Sequence, residues 1–191
     1  EALEMLERCL VLRRRLDNRA DLAGTLSTTS LARLQAGDVN GARECELEAL
    51  KIFTEVGDRR GEAIGNLHLG QIAVHAGTET EARSHFERCL VVAREIGHQE
   101  CEGAGELNLG ILACDEGGIA LAAQHFERSL VVCRDAADKR GEASAVRWLG
   151  RLALLTGDLL LARERLIEAA KAFKAFEMWE ELLDCLEDLA S

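Results

Sequence analysis

A 40-residue interval governs this chain of 191 residues. Alanine recurs at Ala2, Ala42, Ala82, Ala122 and Ala162, and glycine at Gly37, Gly77, Gly117 and Gly157. A second glycine series, Gly70, Gly110 and Gly150, follows a leucine each time (Leu69, Leu109, Leu149), and no insertion or deletion breaks the register. A period in this range marks an array in which one supersecondary unit stacks on copies of itself. Such a chain has no single central core, because each unit buries its face against its neighbours. It offers a long surface for contacting another molecule and no evident machinery for chemistry.

Each unit reads as two helices. Proline is absent, 48% of residues are hydrophobic and only 4% are aromatic, a balance that favours helices over strands. Over 62–76 the apolar residues Ile64, Leu67, Leu69, Ile72 and Val74 spread widely around a helix, which predicts cover on two sides. Gly77 supplies the left-handed residue that ends it. A second helix follows, with Ala82, Phe86, Leu90, Val91 and Ile96 at helical spacing. The layout recurs at 121–136 and 160–176. Asp38 and Asp158 follow turn glycines where a carboxylate can cap the next helix, and Asp58 and Asp138 are placed to do the same.

Gly70, Gly110 and Gly150 lie inside helices, where each costs about 1 kcal/mol relative to alanine. A cost repeated at one register needs a packing reason. Close helix approach supplies it, with Ala42, Ala82, Ala122 and Ala162 as the matching small surface and Phe86, Phe126 and Leu166 filling the space between layers.

These residues resemble the tetratricopeptide repeat (TPR) family: a Leu-Gly pair, a Gly-Asp-like turn, then alanine, a large apolar residue and a small one. Leu149-Gly150, Gly157-Asp158, Ala162, Leu166 and Ala169 form one instance; Leu69-Gly70, Gly77-Thr78, Ala82, Phe86 and Cys89 form another. The interval exceeds the usual 34 residues, which looks like the long-repeat subgroup of spindle-orientation adaptors and bacterial signalling ATPases and regulators. Ser30 and Glu46 depart from the pattern in the first unit. The resemblance implies an all-α, right-handed superhelical solenoid: a half repeat at 1–16, helix pairs at about 19–56, 59–96, 99–136 and 139–176, and a final helix at 178–190. The chain opens inside a repeat, at Glu1, so a fragment of a larger protein is expected.

In that family the first helix of each pair lines a concave groove. Carried over by position, the groove comprises Ser27, Leu31, Leu34, Gln35, Leu67, Gln71, Val74, His75, Leu107, Ile111, Cys114, Asp115, Arg147, Arg151, Leu154 and Leu155. Spacings of four, seven and eight residues share one helix face. Leu31, Leu34, Leu67, Leu107 and Ile111 form an apolar strip suited to an amphipathic helix or extended peptide, and Arg147 and Arg151 are placed to hold a carboxylate or phosphate. The plainer alternative is that the leucines close packing between repeats and the arginines pair with local acids.

A net charge of −11 argues against nucleic acid and against an anionic membrane surface. No apolar run approaches the roughly 18 residues of a spanning helix. The seven cysteines, odd in number and without a CxxC pair, read as buried reduced thiols and so suggest the cytoplasm. His68, His75, His85, His98 and His125 form no metal-binding motif, and Cys114 with His75 lacks an orienting third residue. Arg13-Arg14-Arg15, Arg59-Arg60 and Lys139-Arg140 stand at helix ends, where cations complement the dipole. The tail at 177–191, with Trp179, Leu182, Leu183 and Leu186, reads as an amphipathic helix covering the last pair. The expectation is a non-enzymatic module without cofactor that binds a protein or peptide. Regulatory contact with a neighbouring domain of a larger protein, and self-association through the ends of the stack, are the alternatives.

Overall fold

A computed structural model describes residues 2–15 and 18–190. Glu1 and Leu16, the expected limits of the half repeat, lie outside the described residues, as do Asp17 and Ser191. The described chain is all-α and built of helix–turn–helix repeats. Its helices are α1 (Ala2–Arg13), α2 (Arg19–Gln35), α3 (Val39–Val56), α4 (Arg59–His75), α5 (Glu79–Ile96), α6 (Gln99–Asp115), α7 (Ile119–Asp135), α8 (Lys139–Thr156), α9 (Leu159–Ala175) and α10 (Trp179–Ala190). They divide into two compact units, residues 1–101 and 102–191.

The turns within pairs follow one chemical recipe. Gly37, Gly77, Gly117 and Gly157 take φ values of 70–82°, so the chain reverses without a Cβ penalty. The next N–H returns to a carbonyl five residues back, as in Asp38 to Arg33 and Asp158 to Ala153, both 2.9 Å. The carboxylates of Asp38, Asp58, Asp138 and Asp158 then accept the first free N–H groups of α3, α4, α8 and α9. Between pairs, Gly57 and Gly97 do the left-handed turning, but Ala137 and Glu177 adopt φ 56° at the equivalent places.

The interior glycines are sockets for large side chains. A Cβ on Gly70 would lie 2.3 Å from the Phe86 ring, one on Gly110 2.5 Å from Phe126, and one on Gly150 2.9 Å from Leu166. The close approach is thus glycine against ring or leucine. The alanines Ala42, Ala82, Ala122 and Ala162, all fully buried, serve the packing separately. Val91 and Ile96 are exposed, and Val92 carries the buried position instead, because the helix turns its adjacent residue inward.

The first repeat replaces this socket with polar groups. Ser30 donates to the Ala42 carbonyl at 2.9 Å, and Glu46, where other units carry Phe or Leu, is fully buried. The basic runs also behave differently from the dipole expectation. Arg59 and Lys139 open α4 and α8, where the dipole is positive, and are held instead by Glu62 and Glu95, and by Glu142. Arg14 reaches from the end of α1 to Glu48 of α3 at 2.7 Å.

Candidate functional site

In the first unit the candidate face belongs to α2 and α4. Leu31 and Leu34 are half-buried, with Leu34 packed against Ala42, Leu69 and Ile72. Leu67 is half-buried and leans on the Ala63, Cys89 and Val92 cluster. Gln71 is half-buried, while Gln35, Val74 and His75 are exposed. The face is therefore a strip of partly covered leucines edged by open polar and apolar groups.

Ser27 faces inward. It is buried, and its hydroxyl donates to Glu46 Oε1 at 2.9 Å. Its oxygen also lies 3.1 Å from His68 Nδ1, which stands 3.4 Å from Glu46. The single hydroxyl proton goes to Glu46, which assigns His68 Nδ1–H as donor to the serine oxygen. Glu46 Oε2 accepts no hydrogen bond among the described residues. The helical register set Ser27 beside Leu31 and gave no sign of this buried cluster, because Glu46 and His68 come from other helices.

In the second unit Leu107, Ile111, Cys114 and Leu154 are half-buried, while Asp115 and Leu155 are exposed. Leu107 packs with Phe126 and with the Val146 and Leu166 cluster, so it closes the stack as well as edging the face. Burial pushes the Cys114 thiol upward in pKa and Asp115 adds to the effect, which keeps it protonated and a poor nucleophile.

The arginines are already engaged. Arg147 Nε meets Asp188 at 3.0 Å and its Nη1 meets Asp184 at 2.9 Å, both on α10. Arg151 Nε lies 3.3 Å from Asp188, and its guanidinium sits 4.4 Å above the Trp148 ring. Trp148 stacks on Phe126 with centroids 5.6 Å apart. The pair thus clamps α10 onto α8. Trp148, Asp184 and Asp188 were not legible as a cluster, because only the fold brings residues some 40 positions apart into contact.

His85 and His125 are each held by the helix before their own. His85 Nδ1 meets Asn66 Oδ1 at 3.2 Å, and His125 Nδ1 meets the buried Glu106 at 2.6 Å. Among the described residues, no three His, Cys, Asp or Glu side chains gather as a metal would need. No helix of the described residues is long and apolar enough to cross a membrane.

No protein-family model matches the chain, and no curated protein matches its sequence. Solved structures do match its fold. Aspartyl phosphate phosphatase F from Bacillus subtilis superposes with a TM-score of 0.85 at 13% identity, over 96% of this chain and 48% of that one. A signal transduction ATPase with a tetratricopeptide repeat sensor, from Pyrococcus horikoshii, gives 0.81 at 16% identity, over 98% and 29%. The TPR-like repeats of a putative kinesin light chain from Podosopora anserina give 0.68 at 14% identity, over 93% and 87%. The chain spans about half the length of the phosphatase and under a third of the ATPase. At these identities the likeness concerns architecture, and the chain has a tetratricopeptide-type fold.

Proposed function

We propose that the chain is a protein-interaction module that holds a partner peptide or helix on the faces of its first-type helices. The supporting observation is the run of half-exposed apolar side chains, flanked by open polar ones, on successive helices of each unit. In the first unit Leu31, Leu34, Leu67 and Val74 make the apolar contact, with Gln71 and His75 as polar edges. In the second, Leu107, Ile111, Cys114 and Leu154 do so, with Asp115 and Arg151 beside them. The 40-residue interval supports placing the module in the long-repeat subgroup.

Arg151 is the more open of the two arginines and the one suited to meet a partner's carboxylate, since it shares only Asp188 with α10 while Arg147 is held against both Asp184 and Asp188. Leu67 and Leu107 also carry packing, so a test is cleaner at Val74 and Leu155, which are exposed. A displayed random-peptide library panned against the whole chain should yield peptides whose binding Val74→Asp with Leu155→Asp weakens at least tenfold. Helicity and melting of the double variant should match the parent. Peptides that bind parent and variant equally would overturn the assignment of these faces.

A further inference from the structure

We propose that Cys89 and Cys101 form a reversible disulfide, a redox-responsive staple between α5 and the start of α6. Both thiols are buried, and Cys89 Sγ donates to the Cys101 carbonyl at 3.6 Å. Both side chains also belong to one buried cluster, with Ala63, Val92 and Ala93. The equivalent positions in neighbouring repeats are Ala49 with Gly61 and Ser129 with Gly141, so a cysteine at both positions is peculiar to this junction.

The local chemistry separates the roles of the two sulfurs. Cys101 stands in the first turn of α6, where backbone N–H groups favour an anion. Its own N–H is taken by His98 Nδ1 at 3.2 Å, which fixes the turn. The adjoining Cys89 thiol brings the Cys101 thiol down in pKa against the opposing effects of burial and of Glu100, with Arg60 assisting. Cys89, hydrogen-bonded to Cys101 and buried, is held up as the protonated partner.

Hydrogen peroxide is the oxidant. The Cys101 thiolate attacks one peroxide oxygen, the O–O bond breaks, and the departing hydroxide takes a proton to become water. Cys89 then attacks the sulfenic sulfur, forming the S–S bond and expelling a second water as its proton moves to the leaving oxygen. Two thiols are oxidised and one peroxide is reduced; a dithiol reductant restores the pair.

The test is peroxide treatment of the whole folded chain, alkylation of remaining thiols and tryptic mapping. Peptides 89–94 and 95–128 should appear joined, two hydrogens lighter than their sum, and dithiothreitol should separate them. Peptide 95–128 also contains Cys114, so Cys114→Ser should keep the link and Cys101→Ser should abolish it, with circular dichroism confirming that both variants fold. The oxidised parent should melt higher than the reduced parent, because the bond constrains the unfolded chain. Linkage that survives Cys101→Ser, linkage seen only in urea, or oxidation confined to Cys9 and Cys114 would overturn the proposal.

Discussion

Gly70 and Phe86 act as socket and plug, and the pair shows why a residue that weakens a helix is kept. Alanine at 70 would gain about 1 kcal/mol in helix propensity. Its Cβ would also press into ring carbons at 2.3–2.8 Å, an overpacking that costs about 1–3 kcal/mol. Gly24, in α2, meets nothing within 4 Å. Gly70→Ala should therefore lower the urea midpoint while Gly24→Ala raises it. Equal shifts of one sign would mean that the sockets do not control packing. The sequence exposed the glycine series but paired it with the alanines. Only the packed helices identify Phe86, Phe126 and Leu166 as the plugs.

At the scale of the element, the turns carry most of the specification. Ala137 holds φ 56° where Gly57 and Gly97 sit in equivalent turns, a conformation that costs a residue with a Cβ. Ala137→Gly should stabilise the second unit by about 1 kcal/mol, read as a higher melting temperature; a lower one would refute the strain. Turn glycines and capping aspartates were legible because turn chemistry is local: Gly77 and Asp58 act through neighbours in the chain. The candidate faces were legible only in part. Periodicity placed Leu31, Val74 and Ile111 on one side of their helices, yet it could not show that Ser27 turns inward to Glu46, nor that Arg147 is taken by Asp184 and Asp188. Those contacts depend on the helix that packs opposite.

For the whole molecule, protons are the simplest probe. Burial lowers the His85 pKa. Burial pushes Glu62 upward, but hydrogen bonds from Arg88 and Arg59 outweigh it and bring it below the ordinary value; Lys139 and Arg134 lower Glu142. All three hold fewer protons folded than unfolded, so stability falls as pH falls through and below the ordinary values of about 6.5 and about 4.3. The buried thiols of Cys45, Cys133 and Cys185 are pushed up by burial, so stability also declines above about pH 8.5. The urea midpoint should peak near neutrality, and His85→Gln should flatten its decline between about pH 7 and 5.5. A midpoint that rises over that interval would contradict the reading.

Repeats that share one helical register face a hazard in folding, since a helix can settle against the wrong copy of its partner. Glu46 guards against it. Seated in another repeat, its carboxylate would find Leu67, Leu107 or Arg147 where Ser27 stands, and a glycine in place of Ser30. Against either leucine the buried carboxyl group would lose its hydroxyl donor, at a cost of about 1–3 kcal/mol. One acidic residue thus gives the first hairpin an identity of its own and makes mispairing with the second or third the costlier path.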